Sequence, residues 1–532
     1  MARHTPSSAR RIGTAAASPA ERLPAMPADL LSFPVVFQPG GRYSPHVKGN
    51  SAMGQEILTS HFSEEDFVRF KQRLAAETAA LRQWFEGGRF VAADRVAGFE
   101  LEAWLVDSSY RPRPLNERFL AAIDTEWVSP ELSQFNVELN VAPEQLQGDA
   151  LHRLEQNLSG TWNHCCEVAS TLDADLVMIG ILPSVREEQL TLDNMSRMKR
   201  YRALNEQIFR LRRGRPLQLD IVGREHLRTT HHNVMLESAA TSFQIHLQVS
   251  PEHAARFYNA SLVASAATVA VSANSPYLFG RDLWDETRIP LFEQAVEVGG
   301  YDGAVYGPLR RVSFGSGYVR DSLLECFEEN YEHFPVLLPM HFDDTPKGLD
   351  TLDHLRLHNG TIWRWNRPLI GIDRDGKPHL RIEHRVAASG PTVADLIANA
   401  AFYYGLVHSL ATMSEAPEHS LSFSQARDNF YAAARQGLDA HVGWLGDKRG
   451  LLRGLILDEL LAMARNGLQL LDLDTNDIHR YLGIIEARVR RGRNGAHWQR
   501  GFAKRNGRDM LALTAAYAEH QHSGVPVHDW TV

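Results

Sequence analysis

Four separated stretches of this sequence alternate apolar and polar residues: Phe99-Glu100-Leu101-Glu102-Ala103, Gln134-Phe135-Asn136-Val137-Glu138-Leu139-Asn140, Ser242-Phe243-Gln244-Ile245-His246-Leu247-Gln248 and Leu380-Arg381-Ile382-Glu383-His384-Arg385-Val386. Successive side chains of a β-strand point to opposite faces of its sheet, so each stretch places one row in a core and the other on an open surface. A merely solvated face usually carries Lys, Thr and Ser. This polar row combines acids and bases instead, which predicts a functional site on one face of a sheet.

The order of the elements indicates the fold class. Unequal lengths of chain separate the four strands, and no regular strand-helix repeat connects them. This favours an α+β fold with a mainly antiparallel sheet that forms an open cradle backed by helices. We expect a disordered extension at residues 1–60, a site-bearing domain at 61–390, and a helical C-terminal part at 391–532 packed on the same domain.

Several boundaries follow from local signals. Ser63-Glu64-Glu65-Asp66 predicts the start of a helix that Gly87-Gly88 ends, and the first strand is expected at residues 96–106. A helical pattern that includes Leu452 and Met463 is expected to end at Asn466-Gly467. The last forty residues are predicted to be irregular. Their basic stretch is interpreted as either a solvated helix end or a lid over an anionic ligand.

Composition excludes several classes of function. The chain has 532 residues, 44% of them hydrophobic and 23% charged, as in an ordinary globular protein. A net charge of -8 argues against nucleic acid as a partner, and the sequence has no apolar run of the ~20 residues that a membrane span needs. Three cysteines exclude a disulfide framework and suit the cytoplasm. His164-Cys165-Cys166 lacks metal-site spacing, so we expect structural cysteines.

The carboxylates of the polar row predict a metal site. Glu100 and Glu102 are two residues apart on one strand face, about 7 Å along the backbone. Two like charges at this spacing repel each other unless a divalent cation lies near them, and oxygen ligands favour Mg²⁺ or Mn²⁺. The alternative is a solvated strand face. Glu131, Glu138 and Glu383 occur in similar settings, which favours the metal.

The basic residues leave alternatives open. His246 is interpreted as a contact to a phosphate or carboxylate, as a metal ligand, or as a structural residue. Arg288, Arg367 and Arg385 suit a phosphate or a carboxylate, or else form structural salt bridges. The sequence contains no G-x-x-x-x-G-K-[ST] loop and no strand-linked G-x-G-x-x-G. A bound nucleotide would therefore depend on metal ions and arginines for its phosphates.

An ordered set of motifs resembles the glutamate-cysteine ligase superfamily, specifically its type 2 or carboxylate-amine ligase branch. The motifs are Gly98-Phe99-Glu100-Leu101-Glu102, residues 131–143, Arg200-Tyr201, residues 241–246, Ala273-Asn274-Ser275-Pro276 with Arg288, and the Glu383-x-Arg385 pair. The similarity covers about residues 95–400. It implies a cradle-like sheet related to that of glutamine synthetase.

The resemblance also implies an activity. ATP and Mg²⁺ (or Mn²⁺) would join the γ-carboxylate of glutamate to the amine of cysteine through an acyl phosphate, the first step of glutathione synthesis. Different acid or amine substrates, or a non-catalytic relative that binds an amino acid or nucleotide, are the alternatives. The protein would be cytoplasmic, and homo-oligomer formation is left open.

The same resemblance assigns roles to residues. It implies metal ligation by Glu100, Glu102, Glu131, Glu138 and Glu383, nucleotide or phosphate contacts by His246, Arg367 and Arg385, and substrate contacts by Arg200, Tyr201 and Arg288. Glu100, Glu102, Arg288 and Arg385 are the catalytic set. One departure is Gly180-Ile181-Leu182-Pro183, where many relatives have Gly-Thr-His-Pro. The identity of the amine is therefore left open.

Overall fold

The computed structural model describes residues 61–92, 95–298, 310–342, 348–373 and 375–532. The extension expected at 1–60 lies outside the described residues. The described strands, in chain order, are β1 Val96–Val106, β2 Val128–Pro130, β3 Asn136–Asn140, β4 Glu144–Gln145, β5 Asp175–Val177, β6 Leu217–Val222, β7 His226–His231, β8 Phe243–Val249, β9 Tyr277–Leu278, β10 Arg281–Asp282, β11 Val312–Ser313, β12 Trp363–Arg364, β13 Asn366–Ile372, β14 Pro378–His384, β15 His441–Gly443 and β16 Arg449–Leu451.

The helices alternate irregularly with these strands. They are α1 Glu64–Glu86, α2 Asn116–Ile123, α3 Ala150–Thr171, α4 Lys199–Leu211, α5 Ala254–Ser272, α6 Arg288–Ala295, α7 Leu324–His333, α8 Gly348–Thr351, α9 Asp353–Gly360, α10 Val393–Ala411, α11 Pro417–Ser420, α12 Phe423–Gln436, α13 Leu452–Leu455, α14 Leu461–Leu470, α15 Thr475–Arg491, α16 Gly495–Asn506 and α17 Met510–His522.

One curled eight-stranded sheet organises the molecule. Its strand order is β13-β14-β8-β1-β3-β2, with β4 and β5 also pairing with β1, and its pairings are antiparallel. All four alternating stretches of the sequence contribute a strand to it. The α+β class and the mainly antiparallel sheet are confirmed.

The apolar row of the sheet packs on two buried helices. Phe99 of β1 lies against Phe243 of β8, with ring centroids 4.8 Å apart, and near Tyr404 of α10 at 6.4 Å. Helices α5 and α10 are apolar around most of their circumference and buried along nearly their whole length. This explains why neither helix shows a clear period in the sequence, because a helix enclosed on every side needs no polar stripe.

Local signals predicted the first elements well. Ser63 caps α1 with a capping box to Asp66, and Gly87 follows its last residue. The backbone N–H groups at a helix start lack internal partners, and a serine hydroxyl supplies one. Strand β1 has the predicted bounds. Local interactions fix both of these elements, so their residues alone predict their bounds.

The predicted end of the helix near Asn466-Gly467 is wrong. Helix α14 continues to Leu470, and a Cβ placed on Gly467 would overlap the carbonyl oxygen of Gly405 in α10. This glycine lets two helices approach closely and does not stop the chain. A close helix crossing and a helix end both favour glycine, and the sequence alone does not separate them.

The last forty residues are also more regular than predicted, because α16 and α17 occupy most of them. The basic stretch makes contacts within the protein. Arg488 is buried and pairs with Asp395 at 2.7 Å, while Arg490 pairs with Glu486 on the helix surface at 2.7 Å. These contacts match the helix-end interpretation better than the lid. No described helix is long and apolar enough to cross a membrane.

Candidate active site

The polar row of the sheet is more enclosed than predicted. Glu102, His246 and Glu383 are exposed by only 9%, 7% and 1%, while Glu100 is half-buried. The expectation of an open polar surface is therefore wrong for most of the row. Helix α4 and the short 3₁₀ turn Glu237–Ala239 bring charged side chains to this face. Such burial makes charges interact more strongly than they would in water.

One cluster on this face contains Glu100, His246 and Glu383, whose ligand atoms all lie within 4.8 Å of one another. The β8–β14 register places His246 directly opposite Glu383. His246 Nε2 lies 3.4 Å from a carboxylate oxygen of Glu100 and 3.9 Å from one of Glu383. This buried nitrogen has no hydrogen-bond partner among the described residues. The cluster offers one nitrogen and two oxygen donors at a spacing that suits a single cation.

A second cluster contains Glu102, Glu131 and Glu138, again with ligand atoms within 4.8 Å of one another. Glu102 is fixed by the backbone N–H of Ser242 at 2.6 Å and by the amide of Gln244 at 2.9 Å. The Glu102–Glu138 register pair links β1 to β3. An oxygen-only set of three carboxylates is the donor set that Mg²⁺ or Mn²⁺ prefers.

The protein balances the charges of this second cluster only in part. Burial and the nearby Glu100 raise the pKa of Glu138 to about 8. Burial and the carboxylates of Glu138 and Glu102 raise the pKa of Glu131 well above its usual range. Glu237 has a pKa raised to about 8 by burial and by Glu102. A cation beside these three partly buried carboxyl groups would lower the cost of ionising them.

Glu383 has the opposite electrostatic setting. Burial alone would raise its pKa, but Arg367 and Arg385 outweigh that effect and hold the pKa far below the usual value. Arg367 binds both carboxylate oxygens, at 2.7 and 2.9 Å, and Arg385 lies 3.3 Å away. Arg367 therefore contacts Glu383, and the arginine expected to bind phosphate holds a carboxylate in place. This carboxylate is ionised and oriented before any ligand arrives.

Two further arginines lie on the same face, Arg381 within β14 and Arg385 directly after it. Arg385 donates to Gln244, and its Nε is buried with no hydrogen-bond partner among the described residues. The Nε of Arg381 is in the same condition. Burial lowers the pKa of Arg381, although Glu100 and Glu383 oppose that effect. Unsatisfied guanidinium N–H groups beside the carboxylate clusters provide donors for an anion.

Arg288 lies behind the site. Its Nε donates to Glu286 at 3.0 Å, and its Nη2 donates to the carbonyl oxygens of Arg385 and Val386 at 3.2 and 2.6 Å. With an exposed fraction of 2%, it fixes the end of β14 from within the core. These contacts favour a positioning role for Arg288, which matches the structural salt bridge left open by the sequence, and the substrate contact implied by the family resemblance stays a prediction.

Arg200 and Tyr201 lie at the start of α4, next to the second cluster. Arg200 donates to the Tyr201 hydroxyl at 2.8 Å, and that hydroxyl donates to the carbonyl oxygen of Pro130 at 3.2 Å. Burial would lower the pKa of Arg200, but Tyr201 and Glu131 outweigh it and raise the pKa. Arg200 thus supplies positive charge beside Glu131, at the edge of the clustered carboxylates.

Sequence reasoning missed three contributors to this site. Arg381 belongs to the polar row, but the motif Glu383-x-Arg385 that resembles the family does not include it. Gln244 stood in the same row, where its spacing was a usable signal. Glu237 lies in a three-residue turn without any periodicity, so only the folded chain brings it near Glu102.

A sequence profile described as glutamate-cysteine ligase family 2 matches residues 96–517. A search among curated proteins gave no match. A glutamate-cysteine ligase from Francisella tularensis, solved in complex with AMP, is similar at 11% identity, covering 82% of this chain and 90% of its own, with a TM-score of 0.45. A bifunctional glutathione synthetase from Pasteurella multocida is similar at 12% identity, covering 84% of this chain and 55% of its own, with a TM-score of 0.45.

Proposed function

The chain belongs to glutamate-cysteine ligase family 2, as its motifs had indicated, and is thus a ligase of the carboxylate-amine kind; we propose that it joins the γ-carboxylate of glutamate to the amine of cysteine at the expense of ATP. The observation that carries this proposal is the pair of carboxylate clusters on one enclosed sheet face with unsatisfied arginine donors beside them. ATP and glutamate are both anions, so a site that joins them needs cations between them.

The donor groups fit divalent cations. The oxygen-only cluster of Glu102, Glu131 and Glu138 would hold Mg²⁺ or Mn²⁺, and the cluster of Glu100, His246 and Glu383 would hold another such ion. The raised pKa values of Glu131 and Glu138 support this fit, since both groups need a positive charge nearby in order to ionise. Magnesium, once bound, would supply charge that screens the triphosphate from the attacking carboxylate.

The protein's own groups position the reactants. Arg381 and Arg385 have donors that would bind phosphate oxygens, and Arg367 keeps Glu383 ionised and fixed. Arg288 holds the carbonyls at the end of β14, so it keeps the guanidinium of Arg385 in register with Gln244. In phosphoryl transfer, positioning and charge stabilisation supply most of the catalysis, and no covalent protein intermediate is needed.

The proposed reaction has two steps. A γ-carboxylate oxygen of glutamate attacks the γ-phosphorus of ATP, and the bond to the β-γ bridging oxygen breaks to release ADP. The amine nitrogen then attacks the acyl carbon, the bond from that carbon to the phosphate oxygen breaks, and the nitrogen loses a proton. The products are an amide, ADP and inorganic phosphate. The clustered carboxylates bind and orient these species and are not consumed.

A different amine is the second candidate, and one local feature favours it. In Gly180-Ile181-Leu182-Pro183, both Ile181 and Leu182 are fully buried. The side chains that would offer polar contacts in many relatives are replaced by apolar core residues here. The amine-binding side could therefore accept an amine other than cysteine, while the carboxylate-activating side stays the same.

An ADP-release assay tests the proposal. With ATP and Mg²⁺, we expect turnover that requires glutamate together with one amine from a panel that includes cysteine and the other amino acids. Glu102→Gln should reduce turnover at least about 100-fold, because it removes a charge from the metal cluster. The matched control is Glu77→Gln, which alters a buried glutamate that contacts His354 on α9. If no amine supports ADP release, the proposed ligase activity is refuted. If an amine other than cysteine supports turnover and cysteine does not, the second candidate is selected.

A further inference from the structure

Outside the active site, three side chains from distant parts of the sequence meet at one point. Cys166 lies on α3, Asp175 begins β5, and His522 is the last residue of α17. A thiol sulfur, a carboxylate oxygen and an imidazole nitrogen all lie within 4.8 Å of one another. None of the three contributes to the clusters on the polar face of the sheet.

The distance between two of these ligand atoms suits an ion with tetrahedral coordination. His522 Nε2 lies 3.2 Å from an oxygen of Asp175. Zinc bonds of about 2.0–2.2 Å to nitrogen and oxygen, at a tetrahedral angle, separate the two ligand atoms by about 3.4 Å. His522 and Asp175 already pair with each other at this distance, and the sulfur of Cys166 adds a third donor atom that such a pair does not require.

The donor types select the class of metal. One sulfur, one nitrogen and one oxygen form a set that zinc-like ions accept and that magnesium does not. The side chains of His522 and Asp175 are 37% and 31% exposed. Solvent can therefore reach the point, and a water molecule can complete the coordination.

We propose that Cys166, Asp175 and His522 bind one zinc-class ion that fastens α17 to α3 and β5. The site is independent of the proposed ligase activity. The ion would stabilise the fold because side chains of α17 hold two other backbone segments in place. Tyr517 and Gln521 both donate to the carbonyl oxygen of Met178, just after β5, and Gln521 also donates to that of Pro391.

This bracing reaches the active site through one further contact. Ser389, in the loop that Gln521 supports, donates its hydroxyl to the carbonyl oxygen of Glu102 at 2.6 Å. An ion at the end of α17 would therefore stabilise the backbone behind a metal-binding glutamate without touching any reactant. The sequence does not reveal this site, because Asp175 lies nine residues after Cys166 and His522 follows more than three hundred residues later.

Cobalt titration of the full-length protein tests the proposal. The protein is treated with chelator, exchanged into excess Mg²⁺ to occupy the carboxylate clusters, and titrated with Co²⁺. We expect one equivalent to produce a thiolate-to-cobalt charge-transfer band and visible bands of tetrahedral intensity. Cys166→Ser and His522→Ala should abolish the charge-transfer band. Cys165→Ala, which removes the neighbouring buried thiol, should retain it.

Thermal unfolding adds a readout that does not depend on spectroscopy. One equivalent of Zn²⁺ should raise the unfolding temperature of the wild-type protein and should leave that of His522→Ala unchanged. This exposed histidine at a helix end can be replaced without disturbing the core. The proposal is overturned if the wild-type protein gives no charge-transfer band, or if the band survives in both Cys166→Ser and His522→Ala.

Discussion

Two glutamates of the active site should respond in opposite ways to the same substitution. Glu138 has a pKa raised to about 8 by burial and Glu100, whereas Arg367 and Arg385 hold the pKa of Glu383 far below its usual value despite burial. Glutamine resembles a protonated glutamate. In the absence of metal, Glu138→Gln should therefore stabilise the protein at alkaline pH, and Glu383→Gln should destabilise it.

The sign and size follow from linkage. Between pH 4.5 and about 8 the unfolded chain loses the Glu138 proton while the folded chain keeps it, so the folded state loses stability as the pH rises through this window. Each pKa unit corresponds to about 1.4 kcal/mol, and the neighbouring carboxylates share this electrostatic cost with Glu138. We therefore expect Glu138→Gln to raise the free energy of unfolding by on the order of 2–4 kcal/mol at pH 8.5 and by almost nothing at pH 5. Glu383→Gln should cost about 3 kcal/mol at both pH values, because it leaves buried Arg367 without its ion pair.

Urea unfolding in EDTA at pH 5 and pH 8.5 measures both effects, and ADP release with Mg²⁺ should be lost in both variants. Equal destabilisation of Glu138→Gln and Glu383→Gln at pH 8.5 would contradict the expected difference. Such a result would mean that the protein itself balances the charge of Glu138, which would leave no electrostatic reason for a cation there.

Further expectations concern the metal, the ion pairs and the helix packing. Mg²⁺ should bind more tightly at pH 8.5 than at pH 6 and should release protons on binding, because carboxyl groups with a raised pKa must ionise before they bind the ion. Calorimetry in buffers of different ionisation enthalpy would measure the released protons. Arg367→Met should cost about 3–5 kcal/mol in urea unfolding, and adding Glu383→Met should recover part of the loss while activity stays absent. Arg488→Met should lower the unfolding temperature markedly through its buried partner Asp395, whereas Arg490→Ala on the same helix should change stability by less than about 0.5 kcal/mol. Gly467→Ala should destabilise by about 1–3 kcal/mol or more, because its methyl group would meet the facing helix, and equal stability would contradict the close crossing.

The main strands of the sheet could be predicted from the sequence because their apolar and polar residues alternate with a period of two. The alternation in β1, β3, β8 and β14 identified both the strands and the residues that share a face, since a strand presents its side chains alternately whatever surrounds it. Cross-strand pairing then brought Glu102 opposite Glu138, and Glu383 opposite His246. The resemblance to the family had assigned metal or phosphate roles to these same residues.

Features that depend on distant packing were not accessible in this way. The polar face is enclosed by elements remote in sequence, so its burial could not be inferred from the strands themselves. In the sequence, Arg288 is a charged residue that follows a turn signal. Its hydrogen bonds to the carbonyl oxygens after β14 exist only in the folded chain. The helices α16 and α17 lack a strong apolar stripe that would have set them apart from irregular chain.

If the enclosed face activates a carboxylate with ATP, an oxygen atom of that carboxylate must pass to the released phosphate. Glutamate labelled with ¹⁸O in its γ-carboxylate is supplied with ATP, Mg²⁺ and the amine that supports turnover, and the released phosphate is analysed by mass spectrometry. The proposed acyl phosphate predicts one ¹⁸O atom in each phosphate, together with ADP. Unlabelled phosphate, or AMP with pyrophosphate in place of ADP, would contradict it.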